Sequence, residues 1–218
     1  MTGLWIIIGV VVLLLLGVVA SYNRFVRQRN LVQESWRQVD VELKRRHDLI
    51  PNLIETVKGY AAQERTVLQA VTDARASAVA TSQAATSGVA AQAQAETVLG
   101  RALGGLLAVA ENYPDLKSSQ NFLSLQQQLA ETEDRIAAAR RFYNGNVRAL
   151  NTRVESVPSS LVAAMFNFHK ADYFELDDPA ERAPVAVDFS SIAAPPQPGS
   201  RQTQSPQTQS PQSGQAPS

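Results

Sequence analysis

The chain has no cysteine among its 218 residues, which removes disulfides, thiolate metal sites and a thiol nucleophile together. Histidine is almost as scarce, with His47 and His169 alone. Neither has a second His or Cys at helical spacing, so no metal template forms. Lys plus Arg number 20 and Asp plus Glu number 20, and this balance leaves no global basic footprint for nucleic acid. Aromatic residues make up only 6%, and a composition rich in Ala and Gln suits helices better than sheets. No convincing strand precedes any glycine cluster, which excludes a phosphate-binding loop. His47 and Asp48 are adjacent, so on a helix they point about 100° apart and cannot act as base and orienter. Glu131, Glu133 and Asp134 are followed within two turns by Arg135, Arg140 and Arg141, a pattern of surface ion pairs. The expectation is a protein with no catalytic residue, no metal, no cofactor and no small-molecule substrate.

What the chain does have is a run of 17 apolar residues, Leu4 to Ala20. As a helix it spans roughly 26 Å, slightly short of a ~30 Å hydrocarbon core. Trp5 and Tyr22 sit at its ends, where amphipathic rings anchor at bilayer interfaces. A cleaved signal peptide would need a basic leading region and a small-residue cleavage site; Ala20 and Ser21 are small, but Met1-Thr2-Gly3 carries no basic side chain. The reading is a retained single-pass anchor over residues 1–22, crossing the cell (inner) membrane. Gly9, Leu13 and Gly17 share one face of it, a weak dimerisation cue. Arg24, Arg27 and Arg29 follow the span and no Lys or Arg precedes it. The positive-inside rule then predicts the N-terminus outside and the remainder in the cytoplasm. Residues 24–46 hold seven basic and three acidic side chains, an excess that favours anionic headgroups by ~1 kcal/mol per well-placed charge. Arg24, Arg27, Arg29, Trp36, Arg45 and Arg46 are the candidate partner or lipid contacts; Arg45 and Arg46 read equally well as a solvated helix face.

Residues 23–176 read as an all-α, up-and-down four-helix bundle with a long, kinked first helix continuous with the anchor. Val32, Trp36, Val39, Leu43, Ile50, Leu53, Val57, Ala61, Leu68 and Val71 step by threes and fours, the seam of a helix packed along its length, as in a coiled coil. Pro51 lacks an N–H and frees the carbonyl of His47, predicting a kink; the competing reading makes Pro51 the start of a new helix. Glu64 lies on the seam, which suggests a buried ion pair with Arg140, or a side chain that rolls to the rim. A turn is expected at Thr86-Ser87-Gly88 and a second helix from Val89 to Glu111. Its Gly100, Gly104 and Gly105 would admit a closely packed neighbour. After Pro114, Ser118 or Ser119 offers an N-cap for a third helix carrying Phe122, Leu125, Leu129, Ile136, Tyr143, Val147, Leu150 and Val154. A short fourth helix follows from Leu161 to about Phe168. Residues 177–192, with Val185, Val187 and Phe189 alternating, read as an extended segment packed on the bundle. Residues 193–218 are Pro, Gln and Ser rich and should be disordered.

Two blocks resemble the LemA family. The first runs from Arg29-Asn30 through Val32, Trp36 and Asp40-Val41 to Leu43-Lys44-Arg45-Arg46 and Asp48-Leu49-Ile50-Pro51-Asn52-Leu53. The second joins Tyr113-Pro114-Asp115-Leu116-Lys117, Glu133-Asp134-Arg135-Ile136 and Arg140-Arg141-Phe142-Tyr143-Asn144. The resemblance covers roughly residues 22–189 apart from 76–97. It implies a membrane-anchored helical bundle and no particular reaction. A seam longer than the shorter helices can cover leaves Val32, Trp36 and Val39 bare, and bare apolar stripes call for a partner. The expected function is therefore a scaffold or adaptor, bound to the bilayer through residues 4–20 and joined to a second copy or another membrane protein. The alternatives are a regulatory or accessory subunit of a membrane enzyme or envelope-stress system, and an unrecognised hydrolase.

Overall fold

The computed structural model describes residues 1–84 and 87–176. Among these there are six helices and no strand, in keeping with the all-α expectation. The extended segment at 177–192 and the tail at 193–218 lie outside the described residues.

Helix α1 runs unbroken from Thr2 to Lys58. The residues of the apolar run are exposed over nearly its full length, a bare apolar cylinder long enough to cross a bilayer. Further along, Phe25, Val32, Val39, Arg46 and Leu53 are buried at intervals of seven, and Leu43, Ile50 and Val57 form a second row beside them. Pro51 lies inside the helix, so the reading of a new helix beginning there does not hold. The carbonyl of His47 that Pro51 leaves without its helical partner is not orphaned: Arg75 Nε donates to it at 2.7 Å. A donor from a neighbouring helix replaces the missing N–H.

The seam expected to run on to Val71 in one helix is instead divided by a turn at 59–64, and α2 (Arg65–Gln83) returns antiparallel to α1. The periodicity hides this turn. Val57 and Leu68 are 11 residues apart, close to three helical turns, so the apolar pattern resumes in phase. Helix α3 (Val89–Ala110) follows, then the single turn α4 (Pro114–Lys117), then α5 (Gln120–Glu155) and α6 (Ser159–Met165). Pro114 at the first turn of α4 needs no N–H there. Gly100, Gly104 and Gly105 do not admit a close neighbour: a Cβ at any of them would meet nothing within 4 Å.

Two packing zones result. In the zone far from the apolar span, the second half of α1 joins α2, α3 and the start of α5 around Ile50, Leu53, Leu68, Val71, Leu99, Leu106, Leu116 and Phe122. Each fully buried Leu or Ile there contributes about 1.5–3 kcal/mol. In the zone near the span, α1 and α5 pair antiparallel, and Phe25, Val39, Tyr143, Val147, Phe168 and Phe174 form the core. Here α2 and most of α3 are absent, and the chain after α6 takes their place. It runs back along α5, held by two asparagines. Asn151 donates to the Ala171 carbonyl and accepts from the Ala171 N–H, both at 2.9 Å. Asn144 treats Phe174 the same way, at 3.1 and 2.9 Å. A side-chain amide thus mimics a neighbouring strand. The stripe expected to be bare is covered: Val32 and Val39 are buried, and Trp36 is half-buried against the rings of Tyr143 and Phe174, 5.3 and 5.4 Å between centroids.

Candidate functional site

Arg46 occupies the position seven residues after Val39 and seven before Leu53, so the helix aims a guanidinium where its other turns aim apolar side chains. It is only 2% exposed, which corrects its reading as a lipid or partner contact. From α1 it reaches the Glu96 carboxylate on α3, while its Nη1 donates to Glu133 Oε1 on α5 at 2.8 Å. His47 Nε2 lies 2.9 Å from Glu96 Oε1, and with Glu96 ionised the imidazole N–H donates. Gln92, one turn before Glu96, donates to the same oxygen at 2.7 Å. Three helices are thus tied through one guanidinium, that of Arg46, and Arg75 of α2 meets the same level of α1 at the His47 carbonyl.

The electrostatics favour charge on both partners. Burial alone would lower the Arg46 pKa, but Glu133 and then Glu96 more than offset it and hold it above its ordinary value. Burial would likewise raise Glu96; the His47 hydrogen bond and the Arg46 charge outweigh that and hold it below the ordinary carboxylate value. Arg46 Nε and Gln92 Oε1 are buried without hydrogen-bond partners, so the cluster is incompletely satisfied. Such buried pairs fix which helix faces which more than they add net stability. The groups face one another inside the body, an arrangement suited to fixing register.

The expected Glu64–Arg140 pair is corrected. Glu64 sits in the turn before α2 and accepts from the Tyr113 hydroxyl at 3.0 Å. Arg140 stands on α5 two turns beyond Glu133, toward the span and away from that turn. The seam signal that singled out Glu64 applies in fact to Glu96, three residues before Leu99 and seven before Leu103 on the buried face of α3. Arg46 likewise carried a signal in its sevenfold spacing, masked by its basic neighbours Lys44 and Arg45.

The other candidate contacts are outward. Arg24, Arg27, Arg29 and Arg45 are exposed, and the Arg29 guanidinium lies 5.8 Å from the centroid of the Phe168 ring, a cation–π distance. Tyr143, whose hydroxyl donates to the Asp172 carbonyl at 2.8 Å, is pushed up to about 12 by burial and then by the charge of Asp172. It remains a neutral donor. Among the described residues, no group of three or more His, Cys, Asp or Glu side chains is placed to hold a metal ion.

Comparison with known proteins places this architecture. Magnetosome protein MamQ 2 of Paramagnetospirillum magneticum is 28% identical over 185 residues, covering 75% of this chain and 68% of that protein. Magnetosome protein MamQ of Magnetospirillum gryphiswaldense is 26% identical over the same length and shares. Protein LemA of Metamycoplasma hominis is 26% identical over 174 residues, covering 80% of this chain and 76% of its own. The family model described as LemA family matches residues 35–189, from the buried Ser35 of α1 through the whole of α5 and beyond α6. The chain belongs to the LemA family.

Proposed function

We propose that this protein is a membrane-anchored scaffold that acts through contacts with neighbouring proteins and catalyses no reaction. The observation that carries this reading is the continuity of α1. One helix of 57 residues leads from a bare apolar span into the middle of the helical body. A flexible linker would let the body wander; a continuous helix holds it at a set height and angle over the bilayer. The buried ionisable groups Arg46, His47 and Glu96 bond to one another, which spends them on architecture. The outward surface is left for binding. It carries Arg37 and Arg45 on α1, together with the exposed apolar side chains Val41 and Phe142. The basic residues after the span favour a cytoplasmic body.

Photo-crosslinking side chains placed at Val41, Arg45 and Phe142 in intact membranes test this. A discrete protein adduct is expected, either a second copy or another membrane protein, and the adducts from Val41 and Phe142 should weaken in Arg45→Glu. Adducts to lipid alone from all three positions would overturn the scaffold. Because the chain has no cysteine of its own, a single Arg141→Cys reports topology without background. It should be labelled from the cytoplasmic side only.

A further inference from the structure

Where α1 leaves the apolar span it does not stand alone. The end of α5 and the whole of α6 lie beside it, and between them runs a groove of about 1050 Å³. Its two ends differ in chemistry. Toward the span it is walled by Leu13, Leu14 and Val18 of α1, with Leu161 and Met165 of α6 opposite. At the other end the lining includes three guanidinium side chains, Arg24 and Arg27 of α1 and Arg153 of α5. We propose that this groove binds one anionic phospholipid of the surrounding bilayer, its phosphate held by Arg24, Arg27 and Arg153 and its acyl chains lying along the apolar wall.

Four observations converge. Arg153 Nη1 is buried and has no hydrogen-bond partner, a donor that an anion would satisfy. No carboxylate lines the groove among the described residues; Glu155, the nearest in sequence to Arg153, is already paired with Lys170. Leu161 and Met165 are 68% and 70% exposed, which costs nothing at the height of lipid. Tyr22 stands at this level too, its ring 4.9 Å from Phe166 and 5.7 Å from Phe168, as aromatic side chains do at a membrane interface. The Arg153 pKa is lowered by burial and then by the like charge of Arg24, the sign of a cation placed without a counter-charge. A cation near the C-terminus of α5 would also complement the helix dipole. That accounts for one arginine at the surface, and not for a buried guanidinium nitrogen set beside a second arginine. The inference rests on α1 crossing the membrane and is independent of the scaffold role.

The test uses the full chain reconstituted in nanodiscs of phosphatidylcholine with or without phosphatidylglycerol, transferred to detergent and examined by native mass spectrometry. Wild type should retain one phosphatidylglycerol. Retention should fall by at least about fivefold in Arg153→Gln, the size of one membrane-facing cation's contribution. It should hold in Arg45→Gln, which removes the same charge outside the groove. Leu161→Glu, at an exposed position that leaves the core intact, should also expel the lipid by setting a carboxylate on the groove wall. Equal loss in Arg153→Gln and Arg45→Gln would reduce the effect to general surface charge and overturn the site. Equal retention of phosphatidylcholine, or retention unchanged in Leu161→Glu, would overturn it as well. Displacement by millimolar inorganic phosphate would reassign the groove to a free anion and overturn the lipid.

Discussion

Glutamine in place of Glu96 would leave Arg46 with the half-exposed Glu133 as its remaining counter-charge among the described ion pairs, and would exchange the charged acceptor facing His47 for a neutral amide. Breaking a buried pair by removing one member costs about 3–5 kcal/mol, so Glu96→Gln should lower the urea midpoint at pH 7 by that amount of stability. The pH dependence should carry the same signature. Glu96 titrates below the ordinary 4.5 in the folded protein, so its contribution is complete above about pH 4.5 and fades as pH falls through the lower folded value. Between pH 6 and 3, wild type should therefore lose stability more steeply than Glu96→Gln, and urea titrations along that series check it. A parallel loss in both would mean that Glu96 is not the group titrating. At this scale the sequence was only partly readable. A buried polar residue shows itself by standing in an apolar row, and Glu64 and Arg46 both did so. Which row is interior depends on where the chain turns, and the turn at 59–64 keeps the apolar rhythm in phase.

Among the elements, α5 was legible nearly in full and α1 up to its end at Lys58, where the reading ran on into α2, because their apolar rows are long and regular. The α3 boundaries also fell within a residue of expectation, set by Gly88 and by Pro114 beyond. The strap from Phe168 to Leu176 was not legible. It has no periodicity of its own and depends on Asn144 and Asn151, which read as ordinary polar residues of α5 until their amides are seen around Phe174 and Ala171. The joint between α1 and α2 allows a sharper test. Arg75→Ala strips the replacement donor from the His47 carbonyl and should cost about 1–3 kcal/mol, the range for a buried polar group left unmet. In a Pro51→Ala background the helix can supply its own N–H to that carbonyl, and the cost of Arg75→Ala should shrink. A double-mutant cycle measures the difference. Purely additive effects would show that Arg75 acts elsewhere.

For the molecule as a whole, the two zones should differ in how readily they open. The far zone is closed by four helices, whereas the near zone is a helix pair covered by the strap. Replacing Asn144 and Asn151 together by alanine should free the strap and speed amide exchange at Ala171 and Phe174. Protection around Leu99 and Leu106 should change little, since cooperative units open separately. Hydrogen exchange with mass readout separates the two cases, and uniform loss of protection would mean a single cooperative unit.

The unbroken path of α1 also has a mechanical meaning. From Ser21 to Pro51 it forms an arm of about 45 Å, and any tilt that packing or interfacial anchors impose on the embedded span is carried along it. Ten degrees of lean at the lipid would sweep the remote tip of the body sideways by roughly 8 Å over that arm. A small lean at one end of the rod is thus a large displacement at the other.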